Sequence, residues 1–536
     1  MKFINVLLAV LVSIAIAFGV FEGGLRLSQF APTPTANQFD AQVGWAKKPN
    51  TTVSRSSLEF DVKIETNEFG LRDDSMTTKE KPADTFRVLA LGDSFTMGYV
   101  LDRDELFVDL LEGWWQAEGR KVEILNAGVE GYSTDQQARW LETHGAEYEP
   151  DLVIVFPYEN DIFWNGETSY LRFPKPRYEA NGKLDERTLV DPGPRPWTEN
   201  WATAKALSAL GGVLRGGKSG PLYFQPEGGT KPMLREFAPL LGDELRAGLA
   251  DEEGKNFLAL AEARTRGAML SLRETAGSLG AGLAVVPIPS HAAVDPAHRS
   301  RFGESELGLS EDAWDPNRPV ELFLGLAKEL GITALDPRAA FVGAIDQGGH
   351  LYFNLDWHLN PRGNRVLARF LHNELDKPGT GLLPAGLAAT TRVDAPPQPA
   401  SDGLPTWIPV YLVLLLVLGT AFKLTYKDTA VPVAYGGVAA MLALVFTVFL
   451  GGRWLAHSLP PQYAGVLLVA VVVLLFGFIM YKLGRRLGTI LELIQAFVAR
   501  GHWYLLPLLI VLLSIGSLLV VAASSPFVAP FIYTLF

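Results

Sequence analysis

From about residue 85 the chain alternates short apolar runs with longer helical patterns, and this alternation narrows the possible folds more than any other feature. Strands are expected at Phe86–Leu91, Val122–Asn126, Leu152–Phe156, Leu283–Ile288 and Ile332–Leu335. Helical spacing covers Glu105–Gln116, Thr134–His144, Asn256–Leu279 and Pro319–Leu330, and a last helix, Arg362–Leu375, closes the series. Short apolar runs separated by helices mean parallel strands joined by right-handed crossovers. The expectation is therefore an α/β domain over residues 85–376, a three-layer, flavodoxin-like parallel sheet. One stretch, 163–230, breaks the rhythm and carries Trp164, Tyr170, Phe173, Tyr178, Trp197, Trp201, Tyr223 and Phe224. A loop this long inside a compact domain is usually functional or mobile. It reads either as a cap over a site, with aromatics for sugar rings, or as a packing surface against a membrane part or a partner.

Apolar residues make up 48% of the 536 and gather at the two ends. Phe3–Phe21 is a continuous apolar run behind Lys2, about the roughly 20 helical residues needed to cross a bilayer core. Ala15-Ile16-Ala17 could pass for a signal-peptide cleavage site. Because the run continues through Phe18, Val20 and Phe21, residues 1–28 read as an uncleaved transmembrane signal anchor. Either reading exports the central domain. Residues 29–84 are a polar lead-in with strand-like pieces such as Phe60–Ile64, and Thr66–Asp73 reads as a turn followed by a loop; the segment is expected to pack on the edge of the next domain. Residues 377–404, rich in Pro, Ala, Gly and Thr, form a linker. After it, Trp407–Phe422, Val431–Leu450, Tyr463–Met480 and Trp503–Ala523 predict a four-span membrane domain over 405–536.

Charge between these runs alternates. Lys423 and Lys427 follow the first, Lys482, Arg485, Arg486 and Arg500 follow the third, and only Arg453 lies between the second and third. By the positive-inside rule the amino terminus is then inside and the central domain outside. Leu487–Val498, helical in spacing between basic residues, is expected along the inner surface. The spans carry almost no charge, which speaks against a transport path. A net charge of −11 argues against a nucleic-acid partner, since phosphate binding needs concentrated Lys and Arg. The absence of cysteine removes disulfides, thiolate metal sites and cysteine nucleophiles.

Within the central domain, Val88-Leu89-Ala90-Leu91-Gly92-Asp93-Ser94-Phe95 runs an apolar strand into a glycine turn that carries a serine. Open α/β sheets bind ligands at the carboxyl ends of their strands, although Gly-Asp-Ser also occurs in ordinary surface turns. Acyl transfer needs a nucleophile, a base in reach of it, and donors aimed at the developing oxyanion. Four further places can supply them. Gly131 follows the second strand, Asn160 follows the third in Pro157-Tyr158-Glu159-Asn160-Asp161, and Asp356 and His358 precede the last helix in Asn354-Leu355-Asp356-Trp357-His358. Asn160 and Asp356 could each instead cap a helix, and Glu159 and Asp161 read as solvent or loop ligands. His291, after the fourth strand, is a second candidate base or a substrate contact.

In this order the blocks resemble the SGNH hydrolases, also called GDSL esterases and lipases, over roughly residues 85–376. The resemblance implies Ser94 as nucleophile and His358 as base, with Asp356 as its orienter. It implies an oxyanion hole of the Ser94 and Gly131 backbone N–H groups and the Asn160 side chain, and no metal or organic cofactor. The third block departs from the family's Gly-x-Asn-Asp by placing Tyr158 where glycine is usual, which makes Tyr158, with Trp164 and His291, a possible substrate contact. The fourth block has one residue rather than two between Asp356 and His358. That spacing resembles membrane-associated members linked to polysaccharide O-acetylation, and it leaves open whether Asp356 bonds His358 directly or orients it through a backbone turn. Leu487–Phe536 is similar to a small bacterial membrane domain of unknown function that accompanies envelope or polysaccharide-modifying genes. With the apolar runs and the charge pattern between them, these resemblances imply a multi-pass protein of the bacterial inner membrane with its catalytic domain on the periplasmic or extracellular side. It would be an esterase or O-acyltransferase acting on an acylated glycan or other ester, in contact with the lipid bilayer and with membrane-protein partners. The alternative is a non-catalytic glycan-binding scaffold subunit of a membrane complex.

Overall fold

The computed structural model describes residues 35–377 apart from 58, 74–76, 195, 206, 209–221, 227 and 251–255, and beyond them 380–384, 387 and scattered positions within 18–22 and 411–443. The chain divides into two units, Pro32–Ala395 and a second made of Met1–Ala31 with Pro396–Phe536. The described residues lie almost wholly in the first. Among them no helix is long and apolar enough to cross a membrane. The anchor expected at 1–28, most of the linker at 377–404 and almost all of the spans expected within 405–536 lie outside the described residues.

Two antiparallel hairpins open the first unit: β1 (Asn37–Asp40) with β2 (Gly44–Lys47), and β3 (Thr52–Ser56) with β4 (Asp61–Glu65). Alternation drives the second hairpin, since Val62 and Ile64 are buried while Asp61, Lys63 and Glu65 are exposed. The central sheet begins with β5 (Phe86–Gly92), β6 (Val122–Asn126) and β7 (Leu152–Phe156). Two small hairpins follow, β8 (Ser169–Tyr170) with β9 (Phe173–Pro174) and β10 (Tyr223–Phe224) with β11 (Met233–Leu234). The sheet is completed by β12 (Gly282–Val285) and β13 (Thr333–Ala334). Its order is β13-β12-β7-β5-β6, and every pairing is parallel.

Parallel strands are covered on both faces and therefore read as continuous apolar runs. Val88 and Ala90 enter one core, while Leu89 and Leu91 enter the other. The helices Phe107–Ala117, Arg338–Asp346 and Pro361–Leu375 contribute to the first core, and Thr134–His144, Phe257–Ser278 and Arg318–Leu330 to the second. This is the three-layer arrangement expected from the alternation. β12 is shorter than the run Leu283–Ile288 because Pro287 has no N–H to give. Val286 and Ile288 still donate to Val155 and Pro157, at 2.9 Å each, so the extended path continues past the ladder.

In the first part of the stretch 163–230 the side chains pack into the domain itself. Trp45 of β2, 1% exposed, has Tyr170 and Phe173 packed against it at ring distances of 5.6 and 5.8 Å. Lys175 is fully buried, donating to Trp164 O at 2.7 Å and to Ser133 Oγ and pairing with Asp135 at 3.0 Å. Tyr178 is likewise buried. These residues pack on the domain's own lead-in and on the helix Thr134–His144.

The lead-in also reaches the site region. Arg72, 1% exposed, donates to the carbonyls of Met97 (2.6 Å), Gly98 and Leu101 and so holds the turn that follows Ser94. Arg72→Met leaves these carbonyls without that donor. It is expected to cost about 3 kcal/mol, given roughly 1–3 kcal/mol for each buried group left unpaired, read as a lower midpoint in chemical denaturation.

Candidate active site

β5 is flanked by β6 on one side and β7 on the other, so the chain reverses its direction across the sheet there. Beyond the strand ends at such a switch point a crevice opens. Ser94, Gly131 and Asn160 come from the segments that leave β5, β6 and β7. The turn at Ser94 is tight. Asp93 caps the short helix Ser94–Met97 by accepting from Phe95 N–H at 2.8 Å. Burial pushes the Asp93 carboxyl up to about 6, against the Phe95 N–H and the nearby His358, which both lower it. Gly92 has no space for a side chain, since a Cβ there would run into Thr96 and come within 3.2 Å of Phe156 O. Asn126 ties the β6 segment to this turn, donating to Thr96 O at 2.8 Å and accepting from Gly128 N–H at 3.0 Å.

Asp356 and His358 sit on a small hairpin between Leu351 and Asn360. Asn360 N–H donates to Leu351 O and Phe353 N–H to His358 O, each at 2.9 Å. Trp357, between the two, has φ +67°, a left-handed conformation that costs a non-glycine residue of order 1–3 kcal/mol. The chain thereby curls back, and His358 Nδ1 reaches Asp356 Oδ1 in a direct hydrogen bond. On the other edge of the ring, His358 Nε2 lies 2.7 Å from Ser94 Oγ. A proton held on Nδ1 by the carboxylate leaves Nε2 to accept from the serine hydroxyl. The question raised by the one-residue spacing thus resolves to a direct contact. Asp356 is nearly buried, at 5% side-chain exposure, while His358 keeps 19%.

The three donors named by resemblance are unengaged. Among the described residues neither the Ser94 nor the Gly131 backbone N–H, nor the Asn160 side-chain amide, has a hydrogen-bond partner. Gly131 has φ +78°, and Tyr170 lies directly over it. Asn160 is half-buried in the first turn of the helix Glu159–Gly166. Asp161, read from sequence as a solvent or loop ligand, is instead fully buried and accepts from Thr134 Oγ1 at 2.9 Å and Gln137 Nε2 at 3.2 Å. Burial raises its carboxyl well above the usual range.

Two candidates are buried among partners of their own. His291 is 5% exposed, bonds Asp295 through Nε2 at 3.0 Å, and stacks between His298 and Tyr352 at ring distances of 3.7 and 4.6 Å. It is a core histidine, its Nε2 engaged by Asp295 and its Nδ1 buried without a hydrogen-bond partner among the described residues. Trp164 is 9% exposed, donates to Glu236 Oε2 at 3.2 Å and packs edge-on against Tyr170 at 4.8 Å. It supports the residue that covers Gly131 and is not itself an exposed contact. Tyr158 does lie beside the site, its ring 4.4 Å from that of Phe95, whose other neighbour is the His358 ring at 4.5 Å.

Residues that sequence reading passed over come from the lead-in. Arg55 of β3 lies over the Tyr99 ring, and Tyr99 lies 5.6 Å from the His358 ring. Glu59, 7% exposed in the β3–β4 turn, accepts from the backbone N–H groups of Asn354 (2.6 Å), Leu355 (2.9 Å) and Asp356 (3.1 Å). Burial pushes the Glu59 carboxyl up to about 7, the three N–H donors pull it down, and the Asp356 charge adds a smaller upward push. No local pattern marks these residues, because their partners are distant in the chain: Tyr99 for Arg55, and residues some 300 positions on for Glu59.

Glu118, His372 and Asp376 lie close enough together to hold a metal ion. Arg120 already pairs with Glu118 at 2.6 Å and with Asp376, so the group is an ion-pair network.

Residues 487–536 match a family of unknown function, DUF5989. No curated protein matches the chain in sequence. Solved structures similar to it include TesA, at 14% identity over 54% of this chain and 97% of that one, with a TM-score of 0.28. A variant of Axe2, an acetyl-xylooligosaccharide esterase from Geobacillus stearothermophilus, aligns at 15% identity over 56% of this chain and 96% of its own, TM-score 0.28. The acetyl xylan esterase AlAXEase aligns at 12% over 54% and 100%, TM-score 0.29. At such low identity and TM-score these likenesses add nothing to the reading of the site, which rests on its own atoms.

Gly131 offers a direct check on the packing of this edge. A Cβ at this position would lie 2.6 Å from Tyr170 Cε1, in a backbone region costing an L-residue about 1–2 kcal/mol. Gly131→Ala should lower the unfolding free energy by at least that much. Because the clash is with one ring, Gly131→Ala combined with Tyr170→Ala should lose less than the sum of the two single losses.

Proposed function

We propose that the protein is a serine ester hydrolase or O-acyltransferase of the SGNH type, working through an acyl-serine. The observation that carries this reading is the hydrogen-bonded chain Asp356–His358–Ser94. The three unengaged donors at the same strand ends support it.

Ser94 Oγ attacks the ester carbonyl carbon while its proton passes to His358 Nε2. Asp356 keeps the imidazole in the tautomer that can accept this proton and stabilises the imidazolium that results. The carbonyl oxygen becomes an oxyanion facing the Ser94 and Gly131 N–H groups and the Asn160 amide. Losing one such donor costs about 10²–10³ in rate. The intermediate collapses as the carbon–oxygen bond to the alcohol breaks and His358 returns its proton to that oxygen. Water, or a sugar hydroxyl, then gives its proton to His358 and attacks the acyl carbon; as the bond from that carbon to Ser94 Oγ breaks, His358 returns the proton to Oγ. Hydrolase and transferase share every one of these groups and differ in whether water is kept from the acyl-enzyme.

The finer reading comes from the sequence. The acyl group is acetyl and the substrate an envelope glycan. The domain stands on the outer side of a bacterial inner membrane, anchored by the apolar segments at both ends and associated with other membrane proteins. The apolar runs, the alternation of Lys and Arg between them, and the one-residue spacing of Asp356 and His358 support this.

A serine-reactive phosphonate should label the wild-type protein and fail to label Ser94→Ala. Equal labelling of both would sink the acyl-serine mechanism. Offered an acetyl ester with and without polysaccharide, a dedicated transferase should release little free acetate in either case and should acetylate the polysaccharide when it is present. Free acetate at the same rate in both cases would show a hydrolase.

A further inference from the structure

The hairpin that carries Asp356 and His358 is bonded to itself only at its base. Leu351, Phe353, His358 and Asn360 make the cross-strand hydrogen bonds. At the tip, the N–H groups of Asn354, Leu355 and Asp356 all turn to one group outside the hairpin, the Glu59 carboxylate. The next residue is Trp357, in its left-handed conformation, and the one after that is His358. The tip therefore combines backbone strain with three donors that depend on a single acceptor. Glu59 itself belongs to the β3–β4 turn, whose flanking strand also sends Arg55 over Tyr99, next to the His358 ring.

We infer that Glu59 is the positioning residue of this site: by holding the three tip amides it fixes the curled backbone that brings the Asp356 carboxylate onto His358 Nδ1. The inference rests on the acyl-serine reading for its kinetic consequence, but not for its structural one. Without those acceptors the tip N–H groups are left unpaired in a half-buried place, which is costly. Trp357 can then relax toward extended backbone, and the carboxylate moves off the imidazole. A misplacement of about 1 Å in a catalytic group can cost on the order of 10²-fold in rate. Glu59 is nearly buried and its carboxylate is taken up by backbone N–H groups, so substrate binding should be spared.

The experiment compares full-length wild-type protein with Glu59→Gln and Glu59→Asp. Glutamine keeps one acceptor oxygen but turns an NH₂ donor onto the backbone donors, whereas aspartate keeps both acceptors on a shorter stem. For hydrolysis of a small acetyl ester, E59Q is expected to lower kcat about 10²-fold with KM unchanged, and E59D to recover part of that loss. Leu272→Ala, a buried apolar truncation in the other core, controls for general destabilisation and should leave kcat near wild type. In ¹⁵N-histidine-labelled protein, the low-field Nδ1 proton of His358, assigned by its loss in His358→Gln, should move upfield or broaden in E59Q and persist in L272A. An unchanged kcat and an unchanged His358 signal in E59Q would overturn the assignment. An inactive wild type would overturn the esterase reading instead, and the His358 signal would still decide the role of Glu59.

Discussion

Everything at the candidate site depends on β5 pairing with β6 on one side and β7 on the other. Parallel strands leave the sheet at the same edge, so the residues following each strand meet there without further device. Because the chain crosses from one side of β5 to the other, the segments after β5, β6 and β7 diverge and leave a crevice. Gly92, without a Cβ, lets the end of β5 turn at once into the helix bearing Ser94 while lying against the end of β7. The sheet thereby sets where Ser94, Gly131 and Asn160 stand. It does not set where the base stands.

The base arrives from the far end of the domain on a short hairpin, and that hairpin is stapled by the lead-in. Arg72 holds the turn beyond Ser94, and Glu59 holds the tip carrying Asp356. The lead-in, expected from sequence to pack on the domain's edge, thus braces both halves of a hydrogen-bonded chain in which Ser94 and His358 are more than 260 residues apart. It does so with buried charge. A buried ion is tolerated only when it is well hydrogen-bonded; the Glu59 carboxylate takes three backbone N–H groups, and Arg72 uses both terminal nitrogens on backbone carbonyls while its Nε stays unpaired. Lys175 follows the same rule with Asp135, Ser133 and the Trp164 carbonyl. Burial lowers Lys175 and raises Asp135, and their mutual attraction opposes both shifts.

Local sequence determined the strands β5, β6 and β7 and the long helices, because buried parallel strands are continuous apolar runs and the covering helices repeat at 3.6 residues. It also determined the positions of Ser94, Gly131, Asn160, Asp356 and His358, since a turn residue, an apolar run and a helix start flank each in a readable way. Only the tertiary structure decided which histidine meets Ser94. His291 and His358 both follow the sheet edge, and the choice between them turned on Asp295 and the stacked rings that enclose the first. Only the structure decided that one residue between Asp356 and His358 suffices, because the left-handed backbone at Trp357 is held by a glutamate about 300 positions earlier. Nor does the sequence show that Trp45 lies beneath Tyr170 and Phe173 of the aromatic stretch after residue 163. In each case the deciding partner is distant in the chain, and pairings of that range leave no periodicity or spacing in the sequence itself.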